Sequence, residues 1–492
     1  MKKNWDKLIL IGAVILYIFY FSWISIVRYQ TLHAHYFDLG IMNQTVYNTY
    51  QSIRSWDWSR FLEMTNPHGI DQVKRMSVHN DILLALLSPF YFLYSGPETI
   101  LVIQTIALGL GAFAVFGIAS YIFRNCRAKR ALPLIFSLAY LMYPPLQFTN
   151  LFDFHAVVIA TPLLLYMMLF YMQRKFALMI VMAVLAIIAK EQVGLTVAFF
   201  GIYTLIREYL RYRNKKGHRM PISLVLVITS LSWFIISMMV IIPYFRTSAH
   251  FALGYYGDFG ESTNDVLFGI IGNPTKLFSL IFRIDTFEYL FAIGSPLGFF
   301  SFFSPMILIA LPELGINLIS SNGAMRNTFF HYTAVITPFI FISAMYGFRN
   351  CVRVLRREYV VPWFLAALFV VPGIYFSFIS SPLPYSPKKQ IQSLTSQREE
   401  RIQAFNWQKK LSNDSIRVAA SGTIAPLFSS RRFLYDFAQH SYTQAEYVVL
   451  STNDVYNGYQ NHKSQENYKQ LLDDVKYKRV VKDGIFEVYQ RL

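Results

Sequence analysis

Cysteine is almost absent from this chain: two residues in 492, Cys126 and Cys351. That excludes a disulfide-built scaffold, and both thiols fall in short basic stretches, where a reducing cytoplasm leaves them unpaired. Charge is scarce too. Asp, Glu, Lys and Arg make up 15% of the chain, against about 25% in a soluble domain, too few to cover a water-facing surface. No convincing internal repeat is present, which argues against a transporter built from two related halves. The last hundred residues lack a Gly-rich phosphate loop, metal-ligand spacing and a nucleophile motif.

What replaces charge is apolar length. Hydrophobic residues are 54% of the chain and aromatic residues 17%, and the mean hydropathy is +0.35. Runs such as 8–27 and 221–245 carry no charge. At 1.5 Å per residue each is long enough to cross a hydrocarbon core of about 30 Å. A large soluble protein with buried helices does not account for so many such runs, so the sequence predicts a polytopic membrane protein. The first run is too long for the hydrophobic region of a signal peptide and has no small-residue cleavage site, which predicts a retained first helix.

The net charge of +17 does not indicate a nucleic-acid partner. Its basic residues cluster in short stretches between apolar runs: Lys2, Lys3 and Lys7; Arg124 to Arg130; Arg174 and Lys175; Arg207 to Arg219; Arg349 to Arg357. Cytoplasmic loops carry this pattern, whereas nucleic acid calls for one contiguous basic face. With the N-terminus inside, spans are expected at 8–28, 98–123, 131–149, 156–173, 176–190, 191–207, 221–244, 286–303, 304–320, 332–348 and 360–380. These eleven place every strongly basic loop in the cytoplasm, and the odd count puts the C-terminus outside. The apolar run 82–94 is short for a span and reads as an interfacial helix.

The division expected is a transmembrane domain over 1–380, with an outer loop at 29–97, a Pro-rich linker at 381–389, and an extracytoplasmic α/β domain over 390–492. In that last domain a polar helix is expected at 390–411, with strands at Ile416–Ala420 and Tyr447–Leu450. The closing Arg479 to Tyr489 stretch reads as a hairpin turning at Asp-Gly.

The few polar residues gather on the outer side. The first outer loop carries His33, Asp38, Asn43, Gln44 and His79. Asp38, about ten residues past the first span and among aromatics, is partly desolvated, which suits a general base; it could equally ligate a divalent cation. Three more groups share that side: Asp153 with His155; Lys190 with Glu191; and Glu313 with Asn317, followed by Arg326, His331 and Tyr332. Ionisable groups at membrane depth are costly and face a cavity or a partner. Each group also has a purely structural reading, as a helix cap, an internal ion pair or hydrogen-bonded contact between helices. Together they point to one outward-facing cavity. Carboxylates, a lysine and an arginine there suit a lipid-borne phosphate, since no nucleotide donor is expected outside the cell.

At these residues the chain resembles a family of bacterial and archaeal membrane proteins catalogued as a domain of unknown function and grouped with the GT-C glycosyltransferases, which use polyprenyl-phosphate sugars. The matching pieces are Phe37-Asp-Leu-Gly40 with Gln44, His79-Asn-Asp81, Phe152-Asp-Phe-His155, Lys190-Glu191, and Pro312-Glu-Leu with Asn317 and His331-Tyr332. The resemblance covers about residues 10–350, and the C-terminal α/β domain is similar to one in that family. It implies a GT-C-like all-α membrane fold with interfacial helices in the first outer loop. It implies, too, a glycosyltransferase that moves a sugar from a polyprenyl-phosphate donor to an extracytoplasmic acceptor. Asp38 would be the catalytic base or metal-site carboxylate. Lys190 and Arg326 would hold the phosphate, and His79, Asp153, His155, Glu191, Glu313, Asn317, His331 and Tyr332 would line the substrate site. The paired acid often found at the first position in GT-C members is absent, because Asp38 stands alone. Two other classes stay open at this point: a transporter or flippase of a lipid-linked or small polar substrate, and a non-catalytic membrane sensor or scaffold.

Overall fold

The computed structural model describes residues 4–212, 220–246, 251–355, 361–387, 390–438 and 442–492. Five helices among them are long and apolar enough to cross a membrane: Trp5–Gln30, Pro97–Ile122, Val193–Leu210, Ile222–Phe245 and Pro362–Ser380. A sixth span forms if the helices Ala131–Leu141 and Pro144–Leu151, bent by 41°, cross as one. The break falls where sequence chemistry puts it. Pro144 and Pro145 lack the N–H groups that would continue the preceding helix, and both sit without cost in the first turn of a new one.

Other expected spans are present as shorter helices, at Ala156–Met172, Phe176–Ile187 and Pro305–Ile319. The stretch at 286–303 divides into a helix, Ile284–Gly294, and two 3-10 turns, Ser295–Leu297 and Phe300–Phe303. Gly298 and Phe299 hold left-handed conformations at that division (φ 56° and 58°), which end a helix. The run at 82–94 is a five-residue helix, Leu83–Leu87, and a 3-10 turn, Ser88–Phe92. Together these are too short to cross, and Leu86, Phe90, Phe92 and Leu93 face outward.

The described residues also form seven strands. β1 (Glu63–Thr65) and β2 (Gln72–Lys74) make a small antiparallel hairpin between the first two long helices, for which the sequence carries no alternation signal. The others, β3 (Val418–Ala420), β4 (Leu434–Asp436), β5 (Tyr447–Ser451), β6 (Tyr477–Asp483) and β7 (Phe486–Arg491), form one sheet in the order β4-β3-β5-β7-β6. β3 runs parallel to β4 and β5, and β7 is antiparallel to β5 and β6. The β6–β7 hairpin turns at Asp483-Gly484, with Gly484 at φ 56°, where a side chain would be strained. The expected helix at 390–411 divides into Gln390–Thr395 and Arg401–Lys410.

This sheet is seated on the segment between the first two long helices. Tyr36 N–H donates to Gly422 O at 2.9 Å. Asn43 donates to Ser429 Oγ at 2.8 Å and Gln44 to the Arg432 carbonyl at 2.9 Å. Arg432 grips Glu63 with two donors, at 2.9 and 3.1 Å. One apolar core runs from the membrane helices through Tyr36 and Leu39 into Val418, Ala420, Val449 and Val488. The loop carrying Asp38 is therefore clamped between the helices and the sheet.

Candidate functional site

Asp38 lies in a single wide helical turn, Tyr36–Gly40, that joins the first helix to the mostly buried helix Ile41–Ser55. Its Oδ1 meets His155 Nε2 at 3.0 Å, a contact spanning 117 residues of sequence. The Asp38 side chain is 24% exposed and that of His155 only 7%. Burial pushes the Asp38 carboxyl up. The hydrogen bond and charge of His155, with the charges of His35 and Arg28, outweigh it and hold the carboxyl below its usual range. Asp38 is thus a carboxylate with one oxygen bound by an imidazole.

His155 is placed by its neighbours on both sides. It precedes helix Ala156–Met172, and its backbone N–H donates to Gln104 Oε1 at 3.0 Å. Gln104 also donates to the carbonyls of Asn150 and Asp153, at 3.0 and 2.9 Å, so one side chain of the second long helix fixes the whole 150–155 turn. The His155 ring stacks on His331 with centroids 3.7 Å apart and on Phe152 at 5.7 Å. Tyr332 lies against His331 at 4.3 Å. Burial, then the charges of His155, Lys190 and His79, push His331 well below the ordinary histidine range, so it is neutral at pH 7.

Asp153 holds a left-handed conformation (φ 50°). It pairs with Arg28, in the last turn of the first helix, and accepts the His35 backbone N–H at 2.9 Å. Arg28 is the main residue that sequence reasoning missed. Its signal was present: a lone arginine ending a long apolar run, at the end expected outside, is out of place under the positive-inside rule.

A second group borders the first. The Glu191 carboxylate accepts from His79 Nδ1 at 2.9 Å and from the Asn80 backbone N–H at 2.9 Å. Gln192 donates to Glu313 Oε1 at 2.7 Å. Lys190, in the break between helices Phe176–Ile187 and Val193–Tyr212, acts electrostatically on His79, Glu191, Glu313 and His331. It makes no ion pair within 4.0 Å among the described residues. Asn317 donates to Tyr289 OH at 3.2 Å and to the Tyr332 carbonyl at 3.1 Å. Arg326 gives its donors to Asp285, Asn317 O and Ser320 O, at 2.6, 3.2 and 2.6 Å. The residues singled out in the sequence thus form one connected neighbourhood, in which Arg326 closes a loop and Lys190 is the cation left unpaired.

The donor set does not make a metal centre as arranged. Asp38 and His155 are bonded to each other, Asp153 is held by Arg28, and among the described residues no group of three or more His, Cys, Asp or Glu side chains could hold a metal ion.

His79 carries a pH prediction. Burial outweighs the attraction of Glu191 and lowers its pKa to about 4, from the ordinary 6.5. Above pH 6.5 neither the folded nor the unfolded chain protonates it. Between pH 6.5 and 4 the unfolded chain does and the folded one does not, so stability is lost as the pH is lowered, by about 3 kcal/mol at the lower end. His79→Gln should remove this share of the slope in thermal unfolding measured between pH 7 and 4.5, leaving the share that His331 contributes. An unchanged slope would place the titration elsewhere.

A family model described as "Predicted membrane protein (DUF2079)" matches residues 28–485. No curated protein matches the sequence. Among solved structures, ArnT from Cupriavidus metallidurans in the apo state aligns over 98% of this chain and 98% of its own, with 13% identity and a TM-score of 0.48. The Archaeoglobus fulgidus oligosaccharyltransferase aligns in its apo form over 97% and 73% (12% identity, TM-score 0.45). In its complex with zinc and sulfate it aligns over 92% and 69% (10% identity, TM-score 0.44).

Proposed function

We propose that this chain, which belongs to the DUF2079 family of predicted membrane proteins, is a GT-C-like glycosyltransferase that moves a sugar from a polyprenyl-phosphate donor to a hydroxyl acceptor on the extracytoplasmic side. The observation that carries the reading is the Asp38 carboxylate, partly open and bonded to His155, whose ring stacks on His331, a residue on which the Lys190 charge acts. The acceptor hydroxyl oxygen attacks the anomeric carbon, the bond from that carbon to the phosphate oxygen breaks, and polyprenyl phosphate leaves. Asp38 takes the hydroxyl proton, with His155 holding the carboxylate in place. Lys190 neutralises the departing phosphate, since a compact ammonium suits a point charge on phosphate oxygen. His79, Glu191, Glu313, Asn317, His331 and Tyr332 shape the donor side, and Asp153 holds the Asp38 loop through the His35 amide. No step is routed through a metal, because Asp38 and His155 are committed to each other.

Orientation belongs to the same proposal: N-terminus in the cytoplasm, the clamped C-terminal sheet outside, in the cell membrane. The test uses purified protein in proteoliposomes loaded with labelled polyprenyl-phosphate sugars and a panel of hydroxyl acceptors. Covalent transfer of label to an acceptor is the result expected. Movement of intact donor across the bilayer, with no covalent change, would overturn the reading in favour of a transporter.

A further inference from the structure

Beside Asp38 lies a group of rings that is not fully buried, His35, Phe37 and Tyr459, and the last of them comes from the far end of the chain. His35 and Phe37 lie nearly parallel, with ring centroids 5.9 Å apart. Tyr459 meets both edge-on, at 6.1 and 5.9 Å, and His68 lies 6.3 Å from Phe37. Tyr459 is 65% exposed, unusual for a ring packed against two others. The next residue, Gln460, has φ 56°, a left-handed conformation that a non-glycine residue adopts at a cost and that fixes how Tyr459 is presented. The rims are polar. Tyr255 and Tyr332 each lie near both Asp38 and Tyr459.

The backbone explains why these residues meet. In open α/β sheets, ligands bind beyond the carboxyl ends of parallel strands. Here the segments beyond β3 and β5 face the Asp38 loop. Gly422, just past β3, sits so close to His35 that an added Cβ would fall 2.3 Å from Nε2. Tyr459 follows the short helix Thr452–Asn457 that β5 leads into. The usual ligand edge of the sheet is therefore turned onto the proposed catalytic carboxylate.

We infer that His35, Phe37 and Tyr459 form the acceptor subsite, and that the acceptor is a carbohydrate whose sugar ring packs on the Phe37 and Tyr459 rings with a hydroxyl towards Asp38. The inference rests on the glycosyl-transfer reading and names the acceptor class it left open. A sugar ring presents a C–H face and a hydroxyl rim, and this cluster answers with ring surfaces bordered by imidazoles, phenols and a carboxylate. A lipid tail would meet those polar rims without partners. His35, stacked on Phe37, is also near enough to Asp38 to act on its carboxyl, so a ring seated on this cluster lies within reach of the carboxylate.

Two variants of the full-length protein in lipid nanodiscs test this. Tyr459→Ala should raise the acceptor KM about tenfold, the worth of one aromatic contact, with kcat at saturating acceptor and donor KM within about twofold; Tyr459→Phe should restore it. Tyr459→Trp gives a readout that needs no turnover. Its indole fluorescence should change saturably on titration with cellotriose, maltotriose or chitotriose, and not with sorbitol. If wild type transfers sugar, Tyr459→Ala has an unchanged acceptor KM and no trisaccharide perturbs the indole, the inference is overturned while the transfer reading stands. If trisaccharides perturb the indole but wild type transfers nothing from any donor, the transfer reading fails and the sugar subsite stands. An indole that responds only to anionic phospholipid vesicles overturns the subsite in favour of a lipid contact.

Discussion

Asp38→Asn lowers sugar transfer by about 10²- to 10⁴-fold, the range lost with a general base, while the protein inserts and unfolds as wild type does. The substitution keeps the shape of the side chain and an oxygen that accepts from His155 Nε2, so the 3.0 Å contact survives. What disappears is the charge that receives the acceptor proton. Donor binding should persist, because Lys190 is untouched. Initial-rate transfer from a labelled polyprenyl-phosphate sugar, with thermal unfolding alongside, separates the two effects. A variant within about threefold of wild type would remove Asp38 from the chemistry, since the reading assigns it at least a hundredfold.

The second large effect is on stability. Asp153→Asn leaves the Arg28 guanidinium buried without a counter-charge, with its side chain 8% exposed. Breaking a buried pair from one side costs about 3–5 kcal/mol, because desolvation of the remaining charge is no longer offset. Replacing both partners, Arg28→Met with Asp153→Asn, should recover most of that loss, since no charge then stays buried. The strong non-additivity is the signature of a direct pair. Unfolding of Asp153→Asn, Arg28→Met and the double variant in one detergent measures it. Additive losses would show that Arg28 and Asp153 act apart. Activity should fall in the single variant too, because Asp153 accepts the His35 N–H at 2.9 Å and so holds the Asp38 turn.

Both predictions involve pairs separated by more than a hundred residues, Asp38 with His155 and Arg28 with Asp153, and this marks how far the sequence could be read. Apolar run length and the positive-inside pattern located the long helices to within a few residues. They also separated the short 82–94 run from them, because hydropathy and length report solvent directly. The polar clusters were equally visible, since every charge in a charge-poor chain stands out. Partner choice was not. The sequence left Asp153 free to pair with His155, two residues away, whereas the left-handed Asp153 turns its carboxylate to Arg28 and frees His155 for Asp38.

Breaks inside helices were legible only in part. Pro144 and Pro145 signalled one, while the turns after Gly294 depend on left-handed Gly298 and Phe299, the second of which no propensity favours. In the C-terminal region the strands at Val418–Ala420 and Tyr447–Ser451 and the final hairpin follow from alternation and the Asp-Gly turn. β4 is three residues long and escapes any periodicity. Tyr459 is an exposed tyrosine in a polar stretch, and its place beside Phe37 is a property of sheet docking alone.

One measurement bears most directly on the central claim. Purified wild-type protein in nanodiscs is given a polyprenyl-phosphate sugar labelled separately in the sugar and in the phosphate, with acceptor present. The account predicts that the sugar label moves covalently to the acceptor while an equal amount of phosphate label stays in the lipid as polyprenyl phosphate. Phosphate label that follows the sugar, or both labels remaining on unaltered donor under conditions where the protein is folded, would contradict it.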